Sequence, residues 1–261
     1  MISYSQLGNN GQLGNQMFQY AALYGAAFIR GKEPCIPDEG HRLKEVFKLR
    51  SAKPIQENSI TAIYQEPSYD FNANLWCVPD GVDLHGYFQS EMYFAHCQDR
   101  IREEFEFRDN IKKDADDYLK YMRLNFDHPC VSIHVRRGDY LNLSDYHTNL
   151  PIQHYRKLAF EIKNSAQDID ISFLIFSDDI EWCKENLGID GAVYIDSGYD
   201  AVDLQVMSRC NAHIIANSSF SWWGAWLSNC NRQNVFAPSA WFGPSGPKNW
   251  ETVYAQGWRK V

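Results

Sequence analysis

The sequence predicts an α/β fold whose second half is a mostly parallel sheet, and three observations carry that expectation. Short β-branched and aromatic runs recur from Cys130 onward with helical stretches between them, the alternation that lays helices over a parallel sheet. Hydrophobic residues make up 44% of the chain against 22% charged, which supplies a core and excludes disorder. A length of 261 residues accommodates one large α/β domain or two small ones.

The elements follow in order. Ile2 and Tyr4 open a short alternating stretch, after which Gly8, Gly11 and Gly14 recur at every third position. Met17, Tyr20, Ala21, Tyr24 and Phe28 then share one face of a helix, with Asn15 as its expected cap. A glycine loop therefore feeds a helix N-terminus. Residues 31–128 show only an α/β tendency: Pro- and Asn-rich connections at 34–40, 53–59 and 67–80 surround a Tyr/Phe-rich segment, His85 to Phe94, and a charged helical segment near 110–123. Strands are expected at Cys130–Val135, Ile171–Phe176, Val193–Ile195, His213–Ala216 and Val235–Ala237. Asn125–Pro129 separates the irregular half from the regular one, which gives domains 1–128 and 129–261. The Trp- and Pro-rich tail, Trp241 to Val261, is available to pack back on the first half.

Charge narrows the partners. Lys plus Arg number 25 against 33 for Asp plus Glu, a formal charge of −8, which argues against a nucleic-acid partner or an anionic-membrane binder. Any anion must meet a local cluster of positive groups. The longest nearly apolar stretch, Tyr20 to Ile29, is about half of the roughly 20 residues a bilayer span needs, and no basic leader opens the chain. The seven cysteines form no C-x-x-C pair and are an odd number, as in reduced core thiols. Together these features read as a cytoplasmic protein without a transmembrane segment.

Three segments carry chemistry. In Val131-Ser-Ile-His-Val-Arg-Arg-Gly-Asp-Tyr140 a strand ends in two arginines, a glycine and an aspartate, and ligands of open α/β sheets sit at the carboxyl ends of strands. A turn at Gly138 can aim Arg136 and Arg137 at one diphosphate through charge-assisted bonds of about 1.5–3 kcal/mol each, with Asp139 orienting one of them. A salt-bridged strand end is the plain alternative. In Ile214-Ile-Ala-Asn-Ser-Ser-Phe-Ser-Trp-Trp-Gly-Ala-Trp-Leu227, Asn217, Ser218 and Ser219 precede a helix whose first N–H groups suit a phosphate. The same residues suit an ordinary N-cap ahead of buried Trp222, Trp223 and Trp226, or one tryptophan can stack on a sugar. In Phe176-Ser-Asp-Asp179, Asp178 or Asp179 can accept from a guanine edge or ribose, or cap the following helix.

Other signatures fall away. The glycine loop has neither G-x-G-x-x-G after a clear strand nor G-K-[ST], which removes nicotinamide and P-loop chemistry. Asp168-Ile-Asp170 resembles a metal-binding Asp-x-Asp but reads as a solvated turn, and Cys210-x-x-His213 lacks a second ligand pair. No metal and no cofactor are expected.

Taken together, the segments resemble the α-1,2-fucosyltransferases of glycosyltransferase family 11. The resemblance rests on Gly11-Gln-Leu-Gly-Asn-Gln-Met-Phe-Gln-Tyr-Ala21, Gly86-Tyr-Phe-Gln-Ser-Glu91, His134-Val-Arg-Arg-Gly-Asp-Tyr140, Leu150-Pro-Ile-Gln-His-Tyr155, Phe176-Ser-Asp-Asp179 and Asn217-Ser-Ser-Phe-Ser-Trp-Trp-Gly-Ala-Trp226. Gln12 departs from it, standing where the family usually has a second glycine. The resemblance implies a GT-B-type two-domain fold with a Rossmann-like C-terminal half, an acceptor-side first domain, and GDP-L-fucose bound without a metal. It implies that Arg136 and Arg137 clamp the diphosphate, that His134 lies near the nucleoside and that Asp178 touches guanine or ribose. Ser218 and Ser219 then meet phosphate, and Gly14, Asn15 and Gln16 contribute from the first domain.

Inverting transfer to the 2-hydroxyl of a terminal β-galactose needs positive groups on the departing GDP and a base on the acceptor hydroxyl. Asp38 and Glu39 are the base candidates, with Glu91 behind them. Three alternatives stay open at this stage: a glycan-binding protein without catalysis, a fucosyltransferase of different regiochemistry, and a metal-dependent transferase using Asp168 and Asp170. A lipid-linked acceptor would place the protein peripherally at the inner membrane face.

Overall fold

The computed structural model describes residues 1–56, 58–167 and 169–261. Contacts divide the chain into two compact units, Met1–Arg108 with Asn249–Ala255 and Asp109–Lys248 with Gln256–Val261. The break thus falls some twenty residues before the one read from Asn125–Pro129. The cause is the charged helical segment, which buries Ile111, Ala115 and Leu119 along one stripe, and the last two join the core of the second unit. Proline at 129 marks the start of a strand, not of a unit.

Unit 1 holds β1 (Ile2–Ser3), α1 (Leu13–Arg30), β2 (Pro34–Ile36), α2 (Leu43–Val46), β3 (Lys53–Pro54), β4 (Ala62–Gln65), β5 (Val82–His85) and α3 (Gln98–Glu104). Its five strands pair in parallel in the order β3-β2-β1-β5-β4. Helix α1 begins two residues before the expected cap. Gly11, at φ +88°, turns the chain, and the extended Gln12 offers its carbonyl to the N–H of Asn15 and Gln16. Asn15 is therefore a first-turn residue and not a cap. The helix is buried almost all round from Leu13 to Ala27, polar Gln16 and Gln19 included, while Phe28 is exposed. From the tail, Asn249–Ala255 is tied into this unit by Thr252, which accepts from the Phe71 N–H at 2.8 Å and whose carbonyl accepts from Ser90 Oγ at 2.7 Å.

Unit 2 holds α4 (Asp109–Tyr121), β6 (Cys130–Val135), α5 (Ile152–Ser165), β7 (Ser172–Ser177), α6 (Ile180–Asn186), β8 (Val193–Ile195), α7 (Asp200–Met207), β9 (Ala212–Ile214), α8 (Ser219–Leu227), β10 (Val235–Ala237) and β11 (Arg259–Lys260). All six strands are parallel, in the order β11-β10-β9-β6-β7-β8. The chain builds outward from β6 through β7 to β8, then returns to the other side of β6 with β9. This is the doubly wound arrangement, with its switch point between β6 and β9. Every residue of β6 is buried, as a central strand covered on both faces requires. Val131, Ile133 and Val135 pack with Tyr155, Leu158 and Ala159 of α5, and Cys130 packs with Val206 and Met207 of α7. The expected strands are all present, three with the bounds read from sequence and two, β7 and β9, shifted by one or two residues, and β11 is an addition from the tail that seals the β10 edge.

Candidate active site

The switch point of unit 2 gathers the residues the sequence singled out. Leaving β6, the chain makes a tight turn at Arg136-Arg137-Gly138 against the end of β7. A Cβ on Gly138 would lie 2.3 Å from Asp178 Oδ2, so only glycine lets the carboxylate close onto the turn. Asp178 Oδ1 accepts the Arg137 N–H at 2.9 Å, and Oδ2 pairs with Arg136 Nη1 at 3.1 Å. Asp178 is thus the clasp of the arginine turn, with both oxygens engaged by arginine donors. Asp139 takes the other arm of the same guanidinium, Nη2. One N–H of Arg136 is hydrogen-bonded and Nη1 is ion-paired in this way, and its guanidinium lies 5.2 Å from the Tyr140 ring.

Arg137 is held differently. Its guanidinium lies 3.4 Å from the centre of the Trp182 ring, and its Nε donates to Asp179 Oδ2 at 3.0 Å. Asp179 is the N-cap of α6, accepting from the Trp182 N–H through Oδ1, the capping role weighed for it from sequence. The salt-bridged strand end and the arginine cluster are therefore one arrangement. Carboxylates hold the two terminal nitrogens of Arg136 and Nε of Arg137, and the remaining N–H groups can meet an anion.

Across the switch point, α8 starts at Ser219 with Ser218 as N-cap, and the Ser218 side chain makes no capping bond. The first N–H groups of α8 thus receive no capping bond from Ser218, which suits anion binding at a helix end. Tyr140 ties the two sides together: its hydroxyl donates to the Asn217 carbonyl at 3.0 Å while its ring stacks on His147 at 3.8 Å. Asn217 is buried, and its amide donates to the Trp241 carbonyl at 2.8 Å.

His134 lies beneath this surface, buried, with Nδ1 bonded to Ser221 Oγ at 2.9 Å. Burial, and then the Arg136 charge, push its pKa down to about 3, so it is neutral and joins β6 to the first turn of α8. His213 makes a parallel link, Nδ1 to Ser132 Oγ at 2.7 Å and Nε2 to Ser228 Oγ at 3.0 Å, and burial lowers it to about 3. Both ring nitrogens are spent on serines, which leaves no nitrogen to pair with Cys210 on a metal. Trp222, Trp223 and Trp226 are fully or nearly fully buried. The expectation that one stacks on a sugar is corrected accordingly, and the reading as a glycan-binding protein loses its platform.

In unit 1, Gly14, Asn15 and Gln16 form the first turn of α1. Asn15 Oδ1 accepts from Gln89 at 2.7 Å, and Gln16 Oε1 accepts the Arg42 N–H at 2.9 Å, so both amides brace neighbouring loops. Asp38 and Glu39 are exposed on the loop after β2, with Asp38 paired to Lys44 at 3.0 Å, and Glu91 is buried. Glu66, after β4, was not singled out from sequence. Burial raises its pKa to about 7 against the opposing pull of the Tyr87 and Phe88 N–H groups that it accepts. Trp182 and Tyr140 were likewise missed as site builders; the Asp179-x-x-Trp182 spacing, a cap with an aromatic in the first turn, was the available signal. Asp168 lies outside the described residues, and Asp170 is exposed. Among the described residues no three His, Cys, Asp or Glu side chains come together to hold a metal ion, and no helix is long and apolar enough to cross a membrane.

Two Rossmann-like parallel sheets, one carrying an arginine turn and an open helix end at its switch point, define the class: a GT-B-type glycosyltransferase. The solved fucosyltransferase NodZ from Bradyrhizobium shares this fold, with a TM-score of 0.58 at 12% identity over 87% of this chain and 91% of that one. NodZ, an α-1,6-fucosyltransferase, has also been crystallised with GDP, and that structure matches with a TM-score of 0.56. The chain belongs to glycosyl transferase family 11, whose family model matches residues 3–261. It is 31% identical to an alpha-1,2-colitosyltransferase of Escherichia coli, over 89% of this chain and 90% of the relative. It is 27% identical to galactoside alpha-(1,2)-fucosyltransferase 2 of Hylobates lar, over 84% of this chain and 67% of the relative.

Proposed function

We infer that this glycosyltransferase moves L-fucose from GDP-L-fucose, with inversion and without a bound metal, to the 2-hydroxyl of a terminal β-galactose. The observation that carries the reading is the arginine turn at the β6/β9 switch point, opposite the uncapped start of α8. As the bond from the anomeric carbon to the β-phosphate oxygen breaks, negative charge grows on GDP. The free N–H groups of Arg136 and Arg137 and the first N–H groups of α8, with the Ser218 and Ser219 hydroxyls, are the donors that receive it. Such groups, held in place before the reaction, need no reorganisation as charge develops, and each is typically worth about 2.7–4 kcal/mol. The linkage and the galactose acceptor are supported by the α-1,2 relatives. The acceptor side is assigned to unit 1, with Asp38, Glu39 and a further group considered below as takers of the hydroxyl proton. None of the seven cysteines is in a disulfide, the state a reducing compartment favours, and the reading keeps the protein in the cytoplasm.

The test is incubation of the purified chain with GDP-fucose and lactose, with and without EDTA, followed by mass spectrometry and by NMR of the linkage. An α-1,2-fucosylated product, insensitive to EDTA, is expected. No product together with no GDP binding overturns the donor assignment, and loss of product with EDTA overturns metal independence. A second reading, colitosyl transfer in the same linkage, is favoured by the relative at 31% identity. Competing the two GDP-sugars in one reaction separates it from the first.

A further inference from the structure

Unit 1 has a switch point of its own. From β1 the chain builds outward through β2 to β3, and on the other side β5 lies against β1 with β4 outside it. The carboxyl ends of β1 and β5 therefore meet where ligands of doubly wound sheets are bound. β5 ends there on His85, and Asp83, two residues earlier, shares its face of the sheet. Asp83 is 2% exposed and its oxygens are fully occupied. Oδ1 accepts from Ser3 Oγ at 2.7 Å and the Ser5 N–H at 2.8 Å, while Oδ2 accepts from Ser5 Oγ at 2.6 Å and from His85 Nε2 at 2.8 Å.

That last bond decides the tautomer. A carboxylate only accepts, so the hydrogen of a neutral imidazole resides on Nε2 and Nδ1 keeps its lone pair. The side chain is 26% exposed, and among the described residues its polar contact is the Nε2 bond, which leaves Nδ1 open. An imidazole with one nitrogen fixed by a buried carboxylate and the other accessible is the arrangement by which enzymes hold a general base. The other histidines with assigned partners are spent otherwise: His41 on Pro37 and Leu43, His96 on Gly25, His134 and His213 on serines. The titratable groups of adjoining segments are Tyr4, Glu66 and Tyr87. Glu66 is not available, since its two oxygens hold the N–H groups of Tyr87 and Phe88.

We propose that His85, oriented by Asp83, is the base that accepts the proton of the acceptor hydroxyl, an inference that rests on the transferase reading above. The acceptor oxygen forms its bond to the anomeric carbon as the bond to the β-phosphate oxygen breaks. The hydroxyl proton passes to Nδ1, the electron pair of the broken bond leaves on GDP, and the imidazolium then returns its proton to solvent.

His85→Gln tests this, because the glutamine amide still donates to Asp83 while the base is gone. Turnover of GDP-fucose with lactose should fall about 100-fold or more, the usual contribution of a general base. GDP affinity by calorimetry should stay within twofold, and the acid limb of the kcat/KM–pH profile should disappear. In His85→Ala, added imidazole should restore part of the rate. A His85→Gln protein with turnover within threefold of the parent overturns the proposal, as does a large loss in Asp38→Asn or Glu39→Gln with the acid limb lost there instead. Unrescued loss of both GDP binding and turnover in His85→Gln also overturns it, since that marks a structural role. A parent protein that transfers nothing to lactose overturns the functional reading itself, which distinguishes the two failures.

Discussion

Arg136→Ala removes the group on which the donor reading depends, and its cost can be worked from the geometry. The first part is the lost donor: a preorganised positive group aimed at developing charge is typically worth about 2.7–4 kcal/mol, or 10²–10³ in rate. The second part comes from Asp178. Its carboxylate, 3.1 Å from Arg136 Nη1, stays in place after the guanidinium is gone. A phosphate on the far edge of the guanidinium would lie roughly 6–8 Å from that carboxylate, and two unit charges at that range repel by about 2 kcal/mol at an effective dielectric near 20. Together these give a loss of roughly 3 × 10³–3 × 10⁴ in kcat/KM. About tenfold or more should return when Asp178→Asn is added, because the amide removes the charge yet keeps an oxygen for the Arg137 N–H at 2.9 Å. Initial rates with GDP-fucose and lactose, alongside calorimetric titration with GDP, measure both parts. Arg136→Ala within tenfold of the parent, or a further loss on adding Asp178→Asn, would refute the reasoning.

Three other outcomes are expected. Gly138→Ala places a methyl 2.3 Å from Asp178 Oδ2 and opens the clasp, so GDP should bind at least tenfold more weakly, with circular dichroism unchanged. Trp182→Ala removes the ring on which Arg137 lies at 3.4 Å, an interaction of about 0.5–2 kcal/mol, and should raise the Kd for GDP by about 2- to 30-fold. The buried histidines predict acid lability. His134 and His213 fall from 6.5 unfolded to about 3 folded, so their stabilisation is full above pH 6.5 and is lost as pH falls toward 3, at about 1.4 kcal/mol per pH unit each. Glu66, raised from 4.5 to about 7, acts oppositely: its contribution is full below pH 4.5 and is lost as pH rises through 7. Urea midpoints should therefore fall from pH 6.5 to 5, and His213→Asn should flatten that dependence; a pH dependence unchanged in the variant would remove His213 as a source.

Much of the second unit was legible because its signals are local. A run such as Val131 to Val135 is a strand by composition, a pair of arginines and a glycine at its end mark a ligand turn, and Ser218–Ser219 ahead of an apolar run marks a helix start. Unit 1 was opaque for the opposite reason. Its strands are two to four residues long, too short for periodicity, and Lys53–Pro54 is exposed and ends in proline. The boundary at 108/109 was missed because an amphipathic helix shows that it has an apolar face, but not which core receives it.

The amino-acid sequence by itself determined the α/β class, the parallel second sheet, the family and the identity of the arginine turn, since each is written in neighbours along the chain. Only the tertiary structure decided what those residues do to one another. It made Asp178 a clasp in place of a free acceptor, laid Arg137 on Trp182, buried the three tryptophans of α8, and set Asp83 beneath His85 with Ser3 and Ser5 closing around it. These partners are 41 to 80 residues apart in sequence or depend on strand register, and register is fixed by the burial of whole faces at once rather than by any local pattern.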